Sequence, residues 1–274
     1  MTTLLVGFDS AWTMSNTGAI AAALQLDDGT FYEFGKPLCA DFNDAKSKIQ
    51  KWQFDKAPST TIIMLDQPII VKNPNGQRPV ENIVSSPIGL RYGGVQPANK
   101  SKKDMFGTNA PVWSFLAAFR GPADPLNNTP GSQIYETYPV LTIIALNWIL
   151  SDKIRATGRL PKYNPRRMTF HLSDWRYVCD HAKAAYLNLG LGVIAEWLDD
   201  VAHNKKPQKS DQDCLDACIC LLVAIHFSER QDCIMVGDLS TGYMIVPFNA
   251  GLRNELDTRC RKTGRIPFQW VRVI

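Results

Sequence analysis

The chain opens on an unbroken apolar run, Leu4-Leu5-Val6-Gly7-Phe8, that ends on Asp9 and Ser10. A short apolar run without alternation is the pattern of a strand covered on both faces, so it predicts a buried strand with a carboxylate at its C-terminal edge. A second run, Gly18 to Leu26, meets the turn signal Asp28-Gly29, and Thr30 to Leu38 follows with Phe31, Glu33 and Gly35 alternating. That pattern predicts a hairpin, hence three antiparallel strands in succession. Asp41 to Phe54 then sets Phe42, Ala45, Ile49 and Trp52 at helical spacing, and Thr60 to Leu65 returns to a β-branched run closing on Asp66.

Between Gln67 and Thr129 regular pattern is scarce and Pro, Gly and Asn are frequent, apart from a helix predicted over Pro111 to Arg120 with Pro at its first turn. A connection of that length inside a compact domain points to a functional or mobile segment, read as an insertion over about 67–130. A strand is predicted from Gln133 to Tyr138, and helices over Val140 to Leu150, Asp174 to Asn188, Val193 to Ala202 and Asp211 to Phe227. From Met235 onward, with Arg259, Arg261, Lys262 and Arg265, the pattern allows an extra strand and a basic edge, an extension over about 235–274. Strands followed by alternating strands and helices define an α/β layer fold, read as one domain over 1–274.

Composition narrows this picture only a little. Apolar residues at 45% and charged residues at 20% are ordinary for a globular chain, and Lys plus Arg exceed Asp plus Glu by only four. Net charge therefore permits a polyanionic partner without requiring one. The seven cysteines are odd in number and form no C-x-x-C pair, which fits a reduced, cytoplasmic setting better than a zinc site or a disulfide framework. Cys214, Cys218 and Cys220 share one apolar helix and are assigned to packing. No basic leader or membrane-length apolar stretch is present in the sequence, so neither secretion nor anchoring is expected.

The chemistry is concentrated in the acids. Asp213 and Asp216 are three residues apart, hence neighbours on one face of a helix that is otherwise apolar almost all round. Two carboxylates side by side on a buried helix cost desolvation and mutual repulsion, which a bound cation relieves. The competing reading is capping: Ser210 suits the N-cap and Asp213 the third helical position, where a carboxylate also favours the dipole. Asp216 lies deeper than capping needs. Asp9 and Asp66 each close a β run and could simply start turns. Strand ends are nevertheless where an α/β sheet gathers ligands, and four acids so placed make a hard-oxygen set suited to Mg²⁺ or Mn²⁺.

The order Gly7-Phe8-Asp9, Met64-Leu65-Asp66-Gln67-Pro68 and Asp213-Cys214-Leu215-Asp216-Ala217 is similar to the acidic motifs of RNase H-like nucleases. The last of these resembles the D-x-x-D-A helix of RuvC-type Holliday-junction resolvases, although such enzymes carry Glu where Asp66 stands. Ser86-Pro87-Ile88-Gly89, Tyr135-Glu136-Thr137-Tyr138-Pro139 and Gly242-Tyr243-Met244-Ile245-Val246-Pro247 add a closer resemblance, to the family called domain of unknown function 429. The resemblance implies an RNase H-like fold, a mixed five-stranded sheet flanked by helices with the long insertion after the fourth strand. It also implies metal-dependent nuclease activity, endonucleolytic in preference because the D-x-E signature of proofreading exonucleases is absent at Asp9-Ser10-Ala11. Glu136 joins Asp9, Asp66, Asp213 and Asp216 as a secondary metal ligand, and the resolvase-like resemblance admits a homodimer.

The expected reaction is therefore phosphodiester hydrolysis at a two-metal carboxylate site. Phosphate contacts are assigned to basic loops: Arg91, Lys100, Lys102 and Lys103; Arg166 and Arg167, in a run that also holds Arg155, Arg159 and Lys162; and Lys205, Lys206 and Lys209 before the acidic helix. Trp12, Tyr92 and Tyr163 are candidate stacking platforms for the bases of a nucleic acid, DNA or RNA. The principal alternative is a non-catalytic nucleic-acid- or metal-binding protein on the same fold. An ATP-using relative of actin and the sugar kinases lacks support, since no glycine-rich phosphate loop is present and Gly93-Gly94 alone is weak.

Overall fold

The computed structural model describes every residue except Met1, Ala11 and Asn128. Strands β1 (Thr3–Asp9), β2 (Gly18–Gln25), β3 (Phe31–Glu33) and β4 (Leu38–Ala40) come first, followed by helix α1 (Phe42–Lys56) and strand β5 (Thr60–Asp66). The single strand expected over 30–38 is instead two: Gly35 takes a φ of 105° and Pro37 has no N–H to donate, so the ladder breaks between them. β3 pairs with one end of β2 and β4 with the other, which makes the main sheet six-stranded rather than five-stranded.

The segment after β5 is more ordered than its composition predicts. It holds α2 (Pro79–Gly89), α3 (Lys103–Phe106) and the expected α4 (Pro111–Ala118), before β6 (Gly131–Glu136) rejoins the sheet. α2 went unpredicted because Pro87 lies inside it and Pro79 opens it, a composition that reads as loop. Beyond β6 come α5 (Pro139–Ala145), shorter than expected because Asn147 turns left-handed at φ 58°, then α6 (Leu172–Asn188), α7 (Gly192–His203) and α8 (Lys209–Ser228). The C-terminal region forms β7 (Cys233–Asp238), β8 (Gly242–Pro247), α9 (Ala250–Lys262), α10 (Pro267–Trp270) and β9 (Val271–Val273). Its strands make a separate antiparallel sheet in the order β8-β7-β9, where the sequence pattern had indicated one extra strand.

The main sheet is mixed, in the order β3-β2-β1-β5-β6, with β1 antiparallel to β2 and parallel to β5, and β5 parallel to β6. β1 is buried from Leu4 to Asp9, which is why its sequence does not alternate. Its two faces are nevertheless distinct. Phe8 meets the rings of Phe42 and Phe115 from α1 and α4, with centroids 5.5 and 5.3 Å away. Gly7, on the opposite face, lies directly against the backbone of α8: a Cβ there would collide with the Ala217 carbonyl oxygen and the Leu221 nitrogen. Asp9, two residues on, shares the Gly7 face and so looks toward α8. On its far side α8 is held by α6, where the buried Tyr186 hydroxyl donates to the Cys218 carbonyl at 2.6 Å. All seven cysteines are free, and Cys214, Cys218 and Cys220 are buried on α8, as the packing assignment expected.

Gly7→Ala forces α8 away from β1, because backbone atoms cannot step aside as a side-chain tip can. Thermal denaturation is expected to show a loss of about 3 kcal/mol or more. Gly89→Ala, where nothing lies within 4 Å of the added methyl, should stay within about 0.5 kcal/mol of the parent.

Candidate functional site

Asp9 and Asp66 are partners in the parallel β1–β5 register, so their carboxylates leave adjacent strand ends on the same face. The close approach at Gly7 brings the first two turns of α8 over this edge, and with them Asp213 and Asp216. All four line one cleft of about 750 Å³. The structure thus brings together the four acids that the sequence singled out.

Their surroundings differ. Asp216 has both oxygens engaged: the Tyr163 hydroxyl donates to one at 2.8 Å and the Gln212 amide to the other. Asp213 accepts from the Lys209 ammonium one turn earlier. Asp9 and Asp66 receive no side-chain hydrogen bond from any described residue, and Asp66 is fixed instead through its backbone carbonyl, which accepts from the Trp12 indole at 3.2 Å. The capping reading of Asp213 is overturned. α8 begins two residues earlier than that reading assumes, its N-cap is Gln208, and Asp211 accepts the Gln208 N–H at 2.8 Å.

Burial, and then the neighbouring Asp66, Asp216 and Asp213 carboxylates, push Asp9 well above the ordinary carboxylate range. Burial, Asp216 and Glu136 do the same to Asp66. Burial raises Asp216 to about 6, against the opposing pull of Lys209, Tyr163 and Gln212. Lys209 is the cation that answers these acids: burial alone would lower its pKa, but Asp9 and the α8 carboxylates outweigh burial and raise it.

The donor set is all hard oxygen and fits Mg²⁺ or Mn²⁺ by type, with the carboxylates of Asp9 and Asp66 free to ligate. As the side chains stand, among the described residues no three His, Cys, Asp or Glu groups converge as a metal-holding set. Asp213 is engaged by Lys209, and Asp216 by Tyr163 and Gln212.

Glu136 belongs to a different arrangement. It is 1% exposed, and the fully buried Arg78 donates to both of its oxygens, at 2.8 and 2.6 Å. Arg78 also donates through Nε to Glu81 at 2.8 Å and through Nη1 to the Ile70 carbonyl. Glu81 in turn accepts the Ala98 N–H. Gly242 leaves the room this needs, because a Cβ there would stand 2.6 Å from Arg78 Nη1. Glu136 is therefore taken up as the counter-ion of Arg78, and the assignment of a secondary ligand is corrected: both oxygens face the guanidinium, and one also accepts the Ile69 N–H.

The basic candidates separate in the same way. Arg91 is not a phosphate contact; its guanidinium is buried and donates to both Glu255 oxygens at 2.8 Å and to the Pro87 carbonyl, clamping α9 onto α2. Lys100 and Lys103 line a cleft beside Trp113 and Phe106 that shares no residue with the acids, and Lys102 caps α3 at its edge. Arg166 lines the acid cleft, and Arg167 lines a neighbouring one. Tyr163 lines the second cleft too but is buried, with its hydroxyl on Asp216, so it offers no open ring face, whereas Trp12 and Tyr92 are more exposed and each line a cleft.

Sequence reasoning named Lys209 as a phosphate contact rather than as the partner of Asp213, and missed Gln212 and Gln67 as parts of the site. The signal was present for two of them: 209, 213 and 216 form one helical stripe, and 212 and 216 are four apart. Gln67, whose Oε1 accepts from Ser10, carries no such periodic mark.

Fold and site together define an α/β protein that gathers a carboxylate cluster where two parallel strands end beneath a buried helix. The chain belongs to the family described as Protein of unknown function (DUF429), whose model matches residues 7–238. No curated protein and no solved structure matches it. No helix among the described residues is long and apolar enough to cross a membrane.

Each buried acid whose pKa is raised keeps its proton in the fold at a pH where the unfolded chain has released it. The stability it confers is complete below the ordinary value of 3.8 and is lost as pH climbs through the folded value, about 6 for Asp216. For one such group that loss is about 3 kcal/mol. Without divalent cations the protein should therefore melt lower at pH 8 than at pH 5, and Asp9→Asn should raise the melting temperature at pH 8 with no gain at pH 4. A pH-independent effect of Asp9→Asn would contradict the repulsion. Arg78→Ala, which strands Glu136 and Glu81 without their cation, should cost about 3–5 kcal/mol in chemical denaturation.

Proposed function

We propose that this protein is a metal-dependent nuclease of RNase H-like fold that hydrolyses phosphodiester bonds at Asp9, Asp66, Asp213 and Asp216. The fold part of the reading is supported by three antiparallel strands leading into parallel β5 and β6, with an acid-bearing helix against β1. The observation that carries the reading is the Asp9–Asp66 pair: a buried and a half-buried carboxylate at one register level, with no donor from the described side chains and with Asp216 beside them in the same cleft. Such a cluster is costly unless a cation is meant to sit there.

Bound at these carboxylates, Mg²⁺ or Mn²⁺ would supply an activated water and charge stabilisation at the leaving oxygen. Asp9 and Asp66, adjacent in register, would hold the ions together with Asp216 and Asp213 of α8, which line the same cleft. Tyr163 and Gln212 hold the Asp216 carboxylate in a fixed orientation through one oxygen each. Lys209 offsets part of the cluster's charge and rests on one oxygen of Asp213, which leaves the other open to a ligand. Endonucleolytic action remains the preferred mode.

Lys209 also favours a second reading, a nucleic-acid-binding domain in which the ammonium replaces the ions and nothing is cleaved. The two readings part in one experiment. The purified protein is incubated with single-stranded, duplex and branched DNA and RNA in Mg²⁺, Mn²⁺ or chelator, beside Asp9→Asn and Asp216→Asn. Metal-dependent cleavage that falls by about 100-fold or more in both variants is expected. Binding without cleavage, together with a melting temperature that Mg²⁺ does not raise, would transfer the assignment to the second reading.

A further inference from the structure

Two clefts meet at the acids. The first, of about 750 Å³, holds Asp9, Asp213, Lys209 and Arg166; the second, of about 600 Å³, lies on the other side and holds Tyr92, Lys162 and Arg167. Asp66, Gln96, Gln212 and Asp216 line both. The carboxylates therefore form a ridge between two open depressions, rather than the floor of one closed pocket. Each depression is within the range of about 300–1,000 Å³ that accommodates a ligand of nucleotide size.

The basic loop over 161–170 is distributed between them. Its neighbouring cations have structural duties: Arg155 donates to the Gly89 and Leu90 carbonyls, Arg159 pairs with Asp174, and Lys162 donates to the Tyr92 carbonyl. Arg166 and Arg167 are exposed and have no side-chain partner among the described residues. They are consecutive, yet one faces the first cleft and the other the second. An arginine free of internal partners is available for phosphate, and two on opposite sides of a carboxylate ridge suit an anion that continues past the reacting centre in both directions.

The second cleft also offers surface for a base. Tyr92 is held by Arg155 over one ring face, 3.8 Å from the centroid, and by Lys162 at its carbonyl, while Val95, Pro139 and Val140 supply apolar wall. Aromatic and apolar walls beside cations are the surface on which unpaired bases settle, whereas a paired duplex buries its base faces by stacking.

The geometry points to a single polynucleotide strand as the substrate class, lying across the Asp66–Asp216 ridge with one flank in each cleft, its phosphates held by Arg166 on one side and Arg167 on the other. This deepens the hydrolytic reading above and rests on it for the meaning of the ridge.

The test combines binding and a minimal substrate. Fluorescence anisotropy of labelled single strands of about a dozen nucleotides, of a mononucleotide and of a blunt duplex is measured for the parent, Arg166→Ala, Arg167→Ala and the double variant over a salt series. Hydrolysis of bis(p-nitrophenyl) phosphate, a diester too small to reach both clefts, is measured in parallel with Mn²⁺. Both arginines are exposed, so melting temperatures should match the parent. Each single variant is expected to weaken strand binding by about tenfold and to lower the salt slope by about one, the double variant by more. A mononucleotide or duplex bound as tightly as the strand, or strand binding unaffected by Arg167→Ala, overturns the two-cleft path even if the small diester is hydrolysed. Strand binding that depends on both arginines, with no hydrolysis of either substrate, keeps the path and overturns the hydrolytic reading instead.

Discussion

The contact between Gly7 and the backbone of α8 governs most of what matters in this molecule. With any side chain at residue 7, α8 would have to lift from β1, because the atoms it meets are the Ala217 carbonyl and the Leu221 amide. The lift would carry Asp213 and Asp216 away from Asp9 and Asp66. The same approach buries α8 almost along its whole length, which explains why a helix bearing two acids is otherwise built of Cys, Leu, Ile, Val and Ala. Helix position, core packing and acid clustering are thus one constraint expressed three ways.

A cluster built this way is held against its own electrostatics. Burial and mutual repulsion raise Asp9, Asp66 and Asp216, and the chain answers with one ammonium, one phenol and one amide. Those three donors serve Asp213 and Asp216 only. The two strand-end acids receive no hydrogen bond from those donors and feel the Lys209 charge only across space, which leaves both raised. A few ångströms away the same fold shows how it treats a carboxylate that is purely structural: Glu136 has Arg78 on both oxygens and a backbone N–H from Ile69 besides. The contrast within one sheet edge separates an acid matched by its own counter-ion from acids that lack one at hydrogen-bond distance.

Much of this was legible in the sequence, and the exceptions have physical reasons. Apolar runs ending in Asp9 and Asp66 were readable as strands because central parallel strands need no alternation, and the 213–216 spacing was readable because it is a helical neighbour relation. The split of β3 from β4 was concealed by a short alternating pattern that continues through Gly35, and α2 by prolines that a helix tolerates at its first turn and near its end. Arg91 and Tyr163 were misjudged for a shared reason. Arg and Tyr are surface residues by habit, and only tertiary partners far along the chain, Glu255 and Asp216, reveal that these two are interior.

Lys209 shows where such reading meets its natural boundary. In sequence it is the last of three basic residues before an acidic helix and resembles a solvated run. In the fold it is the first residue of α8, on the stripe that carries Asp213 and Asp216, and its ammonium is the counter-charge of the whole cluster. A cation on a flexible four-carbon stem can neutralise the acids and then give way, which a guanidinium fixed by two carboxylates, such as Arg78, cannot do. The two cations thus differ in setting: Lys209 lines the acid cleft on a stem that can move, whereas Arg78 is fully buried and fixed by Glu81 and Glu136.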